Sequence, residues 1–193
     1  MNKQYRLIVF DWEGTISDTL GQVITCVAKE AQRLNFGDLD IALARQSVEL
    51  GLVRAMKKVF PHLTANEHEQ LLMAVQQSLN ARHAEVYLIP GVADLIKLLV
   101  DHHLLLAIAT NKGQQSLQRA LSQTALGEFF PVVRSASTFP AKPSPAMLED
   151  ILAFYNVSAQ ETLMVGDSIT DIEMAKQIHV DAIGFDFYDQ HRD

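Results

Sequence analysis

The stretch Leu7 to Thr15, LIVFDWEGT, constrains this chain more than any other. The apolar run Leu7-Ile8-Val9-Phe10 stops on a carboxylate, Asp11; Glu13 follows two residues on, and then Gly14-Thr15. A short continuous apolar run closed by a glycine turn reads as a strand buried on both faces, the habit of a parallel sheet. In open α/β sheets, ligands bind just beyond the carboxyl ends of the strands. Asp11 is expected at that edge.

Past Thr15 the period changes. Leu20, Val23, Ile24, Val27, Ala31 and Leu34 recur at helical spacing, and Asn35-Phe36-Gly37-Asp38 ends that helix. Helical pattern continues, broken near Gly51 and at Pro61, and Thr64 with Glu67 fits a capping box. No confident strand is predicted from Ser17 to about Val86. Then Pro90-Gly91 interrupts, and Val92, Leu95, Ile96 and Leu99 form one apolar stripe. Further strands are expected at Leu104–Ala109, Pro131–Val133, Thr162–Val165 and Ala182–Phe185. Helices are expected between them, one opening with Ser144 as N-cap and Pro145 at its first position. Strands alternating with helices imply right-handed βαβ units. The fold class is therefore α/β: a doubly wound, Rossmann-like parallel sheet with a small all-helical insert after the first strand. The expected division is residues 1–16 and 89–193 for the core and 17–88 for the insert.

A chain of 193 residues with 48% hydrophobic and 20% charged residues has the composition of a folded protein. Its net charge of -7 argues against nonspecific nucleic-acid binding. The single cysteine, Cys26, sits among Val23, Ile24 and Val27 and reads as a buried small hydrophobe. No apolar run approaches the ~20 residues of a membrane span, and the run after MNKQYR is too short for a signal-peptide core. A cytoplasmic protein is expected, a monomer or weak homodimer without nucleic-acid or membrane partners.

Polar groups end three strands: Asp11 and Glu13, Thr110 and Asn111, and Asp167 with Asp171. Strand ends on one edge of a parallel sheet converge, and Lys142 lies in a loop that can reach them. The requirements of phosphoryl transfer match this set. A carboxylate can attack phosphorus and split hydrolysis into two steps. Mg²⁺ takes oxygen ligands from one or two carboxylates, here Asp11 and Asp167. Thr110 and free backbone N–H groups can hold phosphate oxygens, and Lys142 can neutralise charge. Simpler readings stand beside these. Asp11 could cap a turn, and Asp171 is as well suited to capping a helix start as to supporting a metal. His62, His68, His83, His102 and His103 show no metal-ligand spacing, Lys57-Lys58 reads as a solvated face, and Trp12 is assigned no chemistry.

DWEGT at Asp11–Thr15, ATN at Ala109–Asn111, AKPSP at Ala141–Pro145 and GDSITD at Gly166–Asp171 together resemble the haloacid dehalogenase superfamily of Mg²⁺-dependent phosphotransferases. The insert is similar to the small cap of its phosphoglycolate phosphatase and β-phosphoglucomutase branch. The resemblance implies Asp11 as nucleophile and Glu13 as general acid/base that also ligates through its carbonyl. It further implies Thr110, Asn111 and Lys142 at the phosphate, and Asp167 and Asp171 with Asp11 at Mg²⁺. The substrate would be a small phosphorylated metabolite, phosphoglycolate or a sugar phosphate. Ser17 and Pro90-Gly91 are candidate hinges, with Gly91→Pro as a stiffening test. A phosphomutase, or a phosphate-binding member with little turnover, is the alternative.

Two departures stand out. The family carries Asp where this chain has Glu13, which predicts a slow enzyme that Glu13→Asp accelerates about tenfold. The chain also stops soon after the fifth strand, at FDFYDQHRD, where relatives continue into a further helix. That would leave apolar sheet surface uncovered.

Overall fold

The structure, a computed structural model, describes residues 4–47, 51–81 and 86–187. Two compact units emerge. One combines Met1–Asp18 with Val86–Phe187; the other comprises Thr19–Glu85.

The first unit is a five-stranded parallel sheet in the order β3-β2-β1-β4-β5. Its strands are β1 (Leu7–Phe10), β2 (Leu105–Thr110), β3 (Val132–Ser135), β4 (Thr162–Gly166) and β5 (Asp181–Gly184). The register pairs Phe10 with Ile108 on one side and with Val165 on the other, so β1 lies at the centre. Its residues are buried on both faces, as the apolar run requires. Ile8 and Phe10 point to one face with Leu106, Ile108, Val92, Ile96 and Leu117. Leu7 and Val9 point to the other with Met147, Leu148, Ile151, Met164 and Met174. Each fully buried side chain of this size contributes about 1.5–3 kcal/mol by leaving water.

The helices follow from the same alternation. Within this unit, α5 (Val92–Asp101) and α6 (Gln114–Thr124) contribute to the first face, α7 (Ala146–Tyr155) and α8 (Ile169–Gln177) to the second. Two details differ from the sequence reading. Leu95 is 45% exposed, so the buried stripe of α5 is narrower than its periodicity suggests. Helix α7 starts one residue late: Pro145 is its N-cap, and the Ser144 hydroxyl accepts from the Ala146 N–H at 3.5 Å. Helix ends fray, and a boundary within a residue or two is the ordinary margin.

After β1 the chain folds back on itself. The Trp12 carbonyl accepts from the N–H groups of Ile16 and Ser17, and Gly14 adopts φ +78°. Trp12 is 1% exposed and packs in the first-face core. Ser17 bridges Leu88 in antiparallel fashion, and the Asp18 N–H donates to Tyr87 O at 2.7 Å. These contacts tie the two ends of the insertion point to each other. Gly91 sits at φ +82° as the N-cap of α5. Proline holds φ near −65°, so Gly91→Pro would break the helix start rather than stiffen a hinge.

The second unit is helical among its described residues: α1 (Thr19–Arg33), α2 (Ile41–Arg45), α3 (Leu52–Val59) and α4 (Ala65–Ala81). Its core is Cys26, Val27, Ala31, Met56, Phe60, Leu71 and Val75, with Leu72 and Leu79 packed at its margin. Cys26 Sγ lies 3.7 Å from the Val75 carbonyl. The capping box forms: the Thr64 N–H and hydroxyl donate to Glu67, and the Glu67 N–H donates back. His62 contacts the Phe36 carbonyl and His68 the Thr64 carbonyl. His83 lies outside the described residues, and Lys57 and Lys58 are exposed.

Candidate active site

The carboxyl ends of β1, β2 and β4 deliver the polar residues to one edge. Asp11 directly follows β1, and its N–H donates to the Val165 carbonyl, which fixes it to the end of β4. Asp167 comes from the β4–α8 turn and Asp171 from the first turn of α8. Carboxylate oxygens of Asp11, Asp167 and Asp171 all lie within 4.8 Å of one another.

Lys142 enters this cluster from the loop before α7 and is 7% exposed. Its Nζ lies 2.5 Å from Asp171 Oδ1 and 2.7 Å from Asp11 Oδ1, and it donates to the Ala109 carbonyl at 3.2 Å. The approach to Asp11 is a charge contact without hydrogen-bond alignment, since Oδ1 receives no directed donor. An ammonium buried among apolar walls survives because anions surround it.

Asp171 is wholly buried with both oxygens engaged. Oδ2 accepts from the Ser168 hydroxyl at 2.6 Å and the Ser168 N–H at 3.1 Å, a capping box that opens α8. Asp171 thus caps a helix and stands in the carboxylate cluster at once. Ser168 was not anticipated as a site residue, although its spacing to Asp171 is a readable capping pattern.

Glycine is required at two points. A Cβ on Gly14 would lie 1.8 Å from Asp167 Oδ2, and one on Gly166 would lie 2.4 Å from Asp171 Cγ. A side chain at either point would displace the carboxylate it meets, and at Gly14 the positive φ disfavours one as well.

Electrostatics follow from the crowding. Burial pushes the Asp11 carboxyl above its usual range; Lys142 opposes this and Asp171 adds to it. Asp167 reaches solvent, yet the protein packed around its carboxyl, with Asp11 and Asp171 beside it, raises its pKa to about 6. Three carboxylates whose oxygens lie within 4.8 Å of one another fit a hard divalent cation.

Thr110 is buried at the end of β2, and its Oγ1 accepts from the Lys112 N–H at 3.2 Å. Asn111 Oδ1 accepts from the Lys142 N–H at 2.8 Å, so this side chain positions the lysine loop. Glu13 is exposed, unlike Asp11 and Asp171, and its Oε1 pairs with Lys112 Nζ at 2.6 Å. Lys112 sits inside the strand-end segment that supplies Thr110 and Asn111, but its partner lies 99 residues away and local spacing carries no sign of it.

Residues 8–185 match the haloacid dehalogenase-like hydrolase family. The chain belongs to that family. Among similar proteins of the family is the phosphoglycolate phosphatase of Pseudomonas fluorescens (strain Pf0-1). It is 28% identical over 193 residues, covering 96% of this chain and 71% of that one. The phosphoglycolate phosphatase of Vibrio cholerae serotype O1 is 28% identical over 198 residues, covering 98% and 88%. A hydrolase from Streptococcus pneumoniae TIGR4 shares the haloacid dehalogenase-like fold at a TM-score of 0.80, with 21% identity over 94% of this chain and 93% of that one. CbbY from Rhodobacter sphaeroides in complex with phosphate superposes at 0.62, with 21% identity over 98% and 90%.

Proposed function

We propose that this hydrolase is a phosphomonoesterase that works through an aspartyl-phosphate on Asp11. The observation that carries the reading is the buried Lys142 ammonium held between Asp11 and Asp171 at the strand ends, with Asp167 in the same cluster. The relatives named phosphoglycolate phosphatase support a small organic phosphate as substrate, phosphoglycolate or a sugar phosphate. In this reading the helical unit serves as a substrate-covering cap.

Asp11, Asp167 and Asp171, with the Glu13 carbonyl, would hold a divalent cation such as Mg²⁺, which would supply screening between phosphate and carboxylates. The protein's own groups do the rest. An Asp11 oxygen attacks phosphorus, the phosphorus–oxygen ester bond breaks, and the departing oxygen takes a proton from Glu13. Water then attacks the aspartyl-phosphate and gives its proton to Glu13. The bond to Asp11 breaks and phosphate leaves. Lys142 and the Thr110 hydroxyl balance the charge that grows on the phosphoryl oxygens.

Purified protein with Mg²⁺ is expected to release phosphate from phosphoglycolate or a sugar phosphate in a panel of small phosphates, and Asp11→Asn should stop it. No release from any member overturns the reading. Isomer formation without release would make the protein a mutase.

A further inference from the structure

Glu13, like Asp167, is an acid of the site that burial does not hold in place. It is a methylene longer than the family's residue, it is exposed, and several torsions must be fixed before its carboxyl can serve a reaction. Lys112 supplies the fixed point. The Lys112 N–H donates to Thr110 Oγ1, and the Lys112 carbonyl accepts from Ser135 Oγ at 2.6 Å. The next turn is tied as well: Ser137 Oγ accepts from the Gln114 N–H at 3.0 Å. Side chains from β3 and the loop after it thus hold the β2–α6 loop at the Lys112 carbonyl and just beyond it, while Thr110 holds the Lys112 N–H. Its side chain is 22% exposed and ends on Glu13 Oε1. The other lysine of the site is already committed to Asp11 and Asp171.

We infer that Lys112 is a positioning residue: by donating to Glu13 Oε1 it fixes the carboxyl group, and the other oxygen, Oε2, carries the proton that passes to the leaving group. The pair adapts the loop to the longer acid. An exposed ion pair adds little to stability, and stability is not its use. Its effect is geometric, because a misplacement of about 1 Å at a reacting group can cost on the order of 10²-fold in rate. The inference rests on the phosphatase reading.

The decisive experiment is a double-mutant cycle on kcat/KM, which reports steps up to the first irreversible one, with Mg²⁺ present. Ethyl phosphate needs its leaving oxygen protonated; p-nitrophenyl phosphate leaves with little help. Lys112→Met is expected to lower kcat/KM for ethyl phosphate by about tenfold or more, part of the ~10²–10⁴ that acid/base catalysis commands. For p-nitrophenyl phosphate it should change by less than about twofold, which also shows that the variant is folded. In a Glu13→Ala background, Lys112→Met should have no further effect on ethyl phosphate. An equal loss on both substrates, no loss on ethyl phosphate, or an undiminished loss without Glu13 overturns the positioning role and leaves the phosphatase standing. If the wild type releases phosphate from neither compound nor from the wider panel, the phosphatase reading fails and this inference falls with it.

Discussion

Lys142 places one positive charge between two carboxylates that have almost no access to water. Removing one member of a buried ion group leaves the others uncompensated, typically at a cost of about 3–5 kcal/mol. Lys142→Met is therefore expected to destabilise the protein by about that amount in urea unfolding. Asp167 behaves in the opposite sense. Its pKa rises from 3.8 unfolded to about 6 folded. The folded state then holds the proton more tightly, and stability falls as pH rises through this window. The ionised group is a liability above about pH 6, and the liability fades towards pH 4. In metal-free protein, Asp167→Asn should raise Tm at pH 7.5 and have much less effect at pH 4.5; a rise of equal size at both would argue against charge crowding. Glu13→Asp illustrates how a contact changes an expectation. Chain length alone suggests a faster enzyme, but the shorter acid cannot keep the 2.6 Å contact with Lys112. Turnover of ethyl phosphate by Glu13→Asp is now expected to fall, by about tenfold.

At the scale of elements, the site depends on two places where backbone and carboxylate nearly touch. Gly166 ends β4 and faces Asp171; Gly14 turns the chain after β1 and faces Asp167. Gly166→Ala should push Asp171 off both Ser168 and Lys142, weakening Mg²⁺ binding in calorimetry more than it lowers Tm. Comparable Mg²⁺ affinity in the variant would mean that the turn relaxes freely. The strand ends were legible because an apolar run that stops on a carboxylate states both the strand and its edge. Asp11 and Thr110 stand at the ends of such runs, whereas Lys142 is read from its loop before Pro143 and from the ordered motifs. The exposure of Leu95 and the pairing of Glu13 with Lys112 were not legible. Both depend on neighbours brought close by tertiary folding, and local spacing holds no record of them.

Across the whole molecule, ligand binding and folding are linked. A cation that binds only the folded state stabilises it in proportion to the logarithm of its concentration over Kd. Chelation should stop phosphate release and lower Tm, and Mg²⁺ should restore both; activity that survives exhaustive chelation would remove the cation from the reaction. The sequence holds a single tryptophan, Trp12, peptide-bonded to Asp11, buried in the sheet core and bonded through its carbonyl to the turn that carries Glu13 and Gly14. Nature has thus put the molecule's main fluorophore beside its proposed nucleophile. Excited at 295 nm light, the intact enzyme should emit with the blue-shifted band of a dry indole. Any change in that band on adding cation or a phosphoryl mimic would originate within one residue of the chemistry, a label-free optical gauge built into the chain.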